Sequence, residues 1–158
     1  MKHKLSDYMN DAILSKTGLT MKEIEEITQE IDMGLVCFVH KETKEILSIP
    51  EEFSFGDIDS DYEEVFRDQL PKEGEPYWEF RKMSSRDSFI VMEQFTNQLS
   101  HGYLKDRLSE ALNRRKPFRN FRDIIDNAGV YREKWFEFKY QKLLTHVIEE
   151  LEMQWREG

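Results

Sequence analysis

The run LVCFV, Leu35 to Val39, places the strongest constraint on the fold. Read as a strand, it points Leu35, Cys37 and Val39 to one face and Val36 and Phe38 to the other, so both faces are apolar. Such a strand needs cover on both sides, or a partner surface on one. Polar KETK interrupts the apolar pattern and Pro50 closes a second run, ILSI, which predicts a β-hairpin over residues 35–49. PYWEFRKM alternates aromatic with charged residues after a proline and predicts a third, half-exposed strand near residues 76–82.

The rest of the chain has helical periodicity. Leu5, Tyr8, Met9, Ala12 and Ile13 predict a first helix ending near Gly18. Thr20 and Glu23 stand at capping-box spacing before the stripe Ile24, Ile27, Ile31, with Gly34 as the stop. Tyr62, Val65, Phe66 and Gln69 share a face of a short helix. From Ser84 onward the pattern is helical throughout. Ser84 and Asp87 cap a helix carrying Phe89, Met92, Phe95 and Leu99, and Ser100 is placed to cap the next, with Tyr103, Leu104, Leu108, Ala111 and Leu112. Pro117 suits the first position of a helix bearing Phe118, Phe121, Ile125 and Ala128. A last helix contains Trp135, Phe136, Tyr140, Leu143, Leu144, Val147, Ile148, Leu151 and Trp155, with Trp135 and Phe136 expected in the core. The expected architecture is α+β: a small antiparallel sheet of about three strands packed with several helices, its C-terminal half all-helical over 84–155.

With 158 residues and no linker or repeat, the chain reads as a single domain, 1–158, able to bury roughly 68% of its unfolded surface. LVCFV is its longest apolar run, far short of the roughly 20 residues that span a membrane, and the N-terminus lacks the apolar stretch of a signal peptide. A cytoplasmic protein without membrane partners is expected. The single cysteine, Cys37, cannot form an internal disulfide and lies where a buried thiol is the ordinary occupant.

Motifs of catalysis are missing. Asp57, Asp59 and Asp61 imitate the start of a calcium loop, but Tyr62 stands where the turn needs glycine and Asp68 where a bidentate glutamate is needed, so a solvated acidic loop is expected. His3, His40, His101 and His146 have no zinc spacing. A Cys37–His40 nucleophile and base pair is poorly placed, because strand residues three apart point to opposite faces. No catalytic residue, metal or cofactor is assigned.

Charge carries the functional signal. The formal net charge is -9, which disfavours sequence-blind attraction to nucleic acid. Residues 51–79 hold eleven acids and two bases, whereas 105–122 hold seven bases and two acids. The peak is RRKPFRNFR, residues 114–122. One account is a helix corner, whose cations complement the negative end of the preceding helix dipole and whose Phe118 and Phe121 join the next core stripe. The sharper account notes that Lys116 occupies a helix N-cap, where Ser, Thr, Asp or Asn would satisfy the free amides. Arg114, Arg115, Lys116, Arg119 and Arg122 are on that account the candidate residues for an anion or partner.

LNRRKPFRNFRDII, then REKWFEFKY and a long helix to Trp155, resembles the bacterial Uncharacterised Protein Family 0158, as do SSRDSFIVMEQF and CFVHKETKEI upstream. The chain departs at the hairpin, where Lys44 stands in place of a glycine. The resemblance implies a compact α+β domain and brings no catalytic residues. The expected function is therefore a non-catalytic binding or adaptor protein using its separated charge for a protein partner or self-association. A nucleic-acid or phosphate-ligand binder through 114–122 and an enzyme with an unrecognised site are the alternatives.

Overall fold

The computed structural model describes residues 5–55 and 60–158. In chain order they form α1 (Leu5–Thr17), α2 (Met21–Asp32), β1 (Leu35–His40), β2 (Ile46–Pro50), a 3-10 turn at Glu51–Phe55, α3 (Ser60–Phe66) and a second 3-10 turn at Arg67–Gln69. β3 (Tyr77–Phe80), α4 (Ser85–Gln98), α5 (Tyr103–Leu112), α6 (Pro117–Asp126) and α7 (Val130–Glu157) follow. The α+β expectation holds, with an all-helical C-terminal half. No helix among the described residues is long and apolar enough to cross a membrane. The chain divides into two compact units, Met1–Lys82 with Leu143–Gly158, and Met83–Lys142, and α7 contributes residues to each without a break.

The first unit is built on the sheet, ordered β2-β1-β3 and antiparallel throughout. LVCFV is its central strand, pairing Val36 with Ile49 on one side and Val39 with Trp78 on the other. Cys37, Val39, Trp78 and Phe80 share a face and are buried. α2 packs against β1, and Cys37 Sγ donates to the Ile27 carbonyl at 3.9 Å. α2 starts as the sequence requires: Glu23 N–H donates to Thr20 Oγ1, and the Thr20 N–H donates to Glu23 Oε1. Ile24, Ile27 and Ile31 are buried, and Gly34 turns into β1 with φ +90, a region that side chains rarely enter. Ile13 of α1 is buried but Ala12 is exposed, because Ala12 falls outside the buried arc.

The hairpin closes around His40. Its Nδ1 accepts from the Glu42 and Thr43 amides, both at 3.1 Å, so Nε2 carries the hydrogen given to Glu75 at 2.9 Å. Lys44 adopts φ +65. Its ammonium bonds the Lys41 carbonyl and lies 5.0 Å from the Trp78 ring centre, and these contacts offset the left-handed backbone. β3 is an edge strand whose outer side is occupied by Gln154 of α7. The Glu79 amide donates to Gln154 Oε1 and Gln154 Nε2 donates to the Glu79 carbonyl, both at 2.8 Å. His146 Nε2 donates to the Arg81 carbonyl at 3.0 Å.

The second unit is helical. Its core gathers Val91, Met92, Phe95, Leu108, Phe121, Ile125 and Trp135. Phe95, Phe121 and Trp135 meet edge to face, with the Phe121 and Trp135 ring centres 4.8 Å apart. Ser84 Oγ accepts from the Asp87 amide and caps α4. Ser100 does not cap α5. Gly102 holds that position without a side-chain bond, because α5 starts at Tyr103 rather than immediately after Ser100.

Several residues expected in apolar stripes are exposed: Val65, Tyr103, Phe118, Phe136 and Trp155. In α7 the reason is crowding. Rings at 131, 135, 136, 138 and 140 point all around the helix, and only one arc can face a core.

Two outcomes are expected from this packing. Trp135→Ala will cost about 3–5 kcal/mol in denaturant unfolding and Phe136→Ala under about 1 kcal/mol, since only the former opens a cavity. Burial pushes the Cys37 thiol up from 9.0 to about 11, partly opposed by the Ser48 hydrogen bond and assisted by Glu30 and Glu26. The folded state thus holds this proton where the unfolded chain releases it. The contribution is complete below pH 9 and is lost as pH rises toward 11. Between pH 8 and 10.5 wild type will lose about 2 kcal/mol more stability than Cys37→Ala, measured by urea unfolding.

Candidate functional site

The basic corner joins α5 to α6. α5 ends at Leu112, and the Asn113 amide side chain donates to the Ser109 carbonyl at 2.8 Å. Arg114 turns back and pairs with Glu110 one turn earlier, so this cation is engaged. Asn120 then fixes the corner from inside α6. Its backbone N–H donates to the Lys116 carbonyl at 3.0 Å and its side-chain amide to the Arg115 carbonyl at 2.8 Å.

Lys116 is the N-cap of α6, Pro117 is in the first turn, and no side chain caps the helix. The backbone at Lys116 is left-handed, with φ 56 and ψ 54. This departs from the extended N-cap seen at Thr20, φ -97 and ψ 161, from which a hydroxyl reaches the first-turn amides. A serine at 116 in this conformation would not cap the helix as the sequence pattern suggests. Lys116 itself carries the strain of an L residue in left-handed backbone, roughly 1–2 kcal/mol.

α6 divides cleanly. Phe121 and Ile125 face the core, while Phe118, Arg119 and Arg122 lie on the outward arc, with Phe118 41% exposed. Among the described residues Arg115, Lys116, Arg119 and Arg122 make no ion pair. Of the five candidates the structure therefore leaves four exposed cations beside a half-exposed ring, with Arg114 tied to Glu110.

The unit around this corner differs in charge from the remainder. Met83–Lys142 holds twelve bases and eight acids, net +4, and the remaining residues hold eleven bases and twenty-four acids, net -13. The same unit presents Tyr103, Phe118, Tyr131 and Phe136, four of the five exposed aromatic residues among those described, Trp155 being the fifth. Three have a cation alongside: Arg107 at 5.5 Å from Tyr103, Lys134 at 5.0 Å from Tyr131 and Arg132 at 4.8 Å from Phe136. The pairs on α5 and α7 were not evident in the sequence, although a ring and a cation three or four residues apart on a helix are the signal that marks them.

The other candidate chemistry is dispersed. Cys37 and His40 lie at opposite faces of β1, the thiol toward Ile27 and Ser48 and the imidazole toward Glu75. His101 is exposed and His146 bonds a carbonyl. Asp61 lies in the first turn of α3, while Asp57, Asp59 and His3 lie outside the described residues. Among the described residues no group of three or more His, Cys, Asp or Glu could hold a metal ion. A groove lined by Gln98, Glu133, Lys134, Glu137, Phe138 and Gln141 is open to solvent and sets two carboxylates against one ammonium. Such an open groove lacks the enclosure that concentrates catalytic groups away from water.

No curated protein and no solved structure matches the chain. The model of an uncharacterised protein family, UPF0158, matches residues 17–156, and the chain belongs to that family.

Proposed function

We propose that this protein is a non-catalytic binding module that engages an acidic partner through the α5–α6 corner. The observation that carries this reading is local: Arg115, Lys116, Arg119 and Arg122 are exposed and make no ion pair among the described residues, in a unit of net +4. Arg114 is engaged by Glu110, whereas these four side chains keep their charges unpaired by any acid among the described residues. Exposed cations that keep their hydration add little to stability and are available to a partner, where complementary charge raises association rate and fixes orientation. Asn120 supports the reading further, because its two bonds hold the corner backbone in one shape before any partner arrives.

Poly-L-glutamate at low ionic strength provides the test, with binding read by fluorescence anisotropy. Wild type will bind, and the combined Arg115→Glu, Lys116→Glu, Arg119→Glu and Arg122→Glu variant will bind about tenfold more weakly or worse. A charge-matched control changes Lys16, Lys22, Arg67 and Lys72 to Glu, all exposed and all outside the helical unit. This control will retain most of the affinity. Equal loss in both variants would reduce the effect to total charge and remove the corner from consideration.

A further inference from the structure

Exposed rings and exposed cations coincide in one unit of this protein, and acidic protein surfaces do not require the rings. Carboxylates are met by charge alone. Four solvent-facing aromatic residues add flat π surfaces beside the positive groups, and unpaired nucleobases use that combination: the backbone follows the cations while bases stack on the rings. At the corner itself Phe118 is 41% exposed on the same arc of α6 as Arg119 and Arg122, one helical turn separating Phe118 from Arg122. Lys116 immediately precedes this turn. A base lying on Phe118 would thus leave its flanking phosphates within the reach of these long side chains.

We infer that the partner of this corner is a single-stranded nucleic acid, with Phe118 as a stacking platform and Lys116, Arg119 and Arg122 as phosphate ligands. The inference rests on the binding-module reading and narrows its partner. The net charge of -9 first weighs against it. Its division removes much of that weight, since the helical unit is net +4 and the deficit is concentrated in the other unit. At physiological salt a charge is felt over about 8 Å, so a phosphate at the corner responds to neighbouring cations rather than to the sum over the chain. Duplex DNA offers the same phosphates but keeps its base faces stacked, and cannot use Phe118.

Fluorescence anisotropy with a labelled oligothymidine of about 16 nucleotides tests this on the full-length chain, with a duplex of equal length and poly-L-glutamate as comparisons. The single strand will bind more tightly than the duplex. Phe118→Ala and Phe118→Leu will each weaken it about 5- to 150-fold, the leucine variant keeping an apolar surface but removing the π face. Arg119→Gln combined with Arg122→Gln will flatten the slope of log affinity against log salt by about 0.7 for each phosphate no longer neutralised. Phe118 is partly exposed, so unchanged melting of both variants serves as the check on folding. Wild-type affinity in Phe118→Leu, or equal affinity for duplex, overturns the inference. Binding of poly-L-glutamate without binding of the oligonucleotide also overturns it while leaving the binding-module reading intact, and failure of both probes removes both.

Discussion

The sheet unit depends on burying one strand on both faces. β1 sits between β2 and β3, and with Cys37 and Val39 fully buried and Val36 nearly so, the strand cannot tolerate water on either side. Each buried aliphatic side chain of this kind contributes about 1.5–3 kcal/mol, so the strand is a large fraction of the margin by which a domain is folded. α2 is shaped to meet the requirement. Its isoleucines share one stripe, and its capping box fixes where that stripe begins, which sets the register against β1. The environment that excludes water also disfavours the thiolate of the cysteine at its centre.

The helical unit solves a different problem with aromatic rings. Phe95 from α4, Phe121 from α6 and Trp135 from α7 lock three helices at one point, and edge-to-face packing gives that point a defined geometry. Because Phe121 is held inside, the residues of α6 outside its arc are obliged to face out. The presentation of Phe118, Arg119 and Arg122 is thus a product of core packing, and the cations at the corner are placed by a neighbour that carries no charge.

Much of this was legible wherever the signal is local. The capping box at Thr20 and Glu23, the cap at Ser84, the proline opening α6 and the alternation of YWEF each encode their element within a few residues. The basic cluster was legible as well, being consecutive in sequence. Periodicity gave the wrong side for Phe136, Tyr103 and Phe118, because it identifies a stripe without knowing how wide the covered arc is. The left-handed backbone at Lys116 left no trace, since nothing about a lysine requests that conformation. Nor could local reading find the Gln154 and Glu79 pair, which joins residues 75 positions apart. The division of charge between two units needed the structure, as one of those units is discontinuous in sequence.

The Gln154 amide bears on how the sheet can be recognised. An edge strand ordinarily offers unpaired backbone donors and acceptors to any extended peptide, a common route both to specific capture and to aggregation. At Glu79 that position is already filled by a group with the same donor and acceptor as a peptide bond, supplied by a helix of the same chain. An incoming strand would break two bonds to form two, with no net gain in hydrogen bonding there and an added cost in ordering the peptide. The β3 edge is in this sense self-complemented: the molecule carries its own imitation of a fourth strand, one residue long.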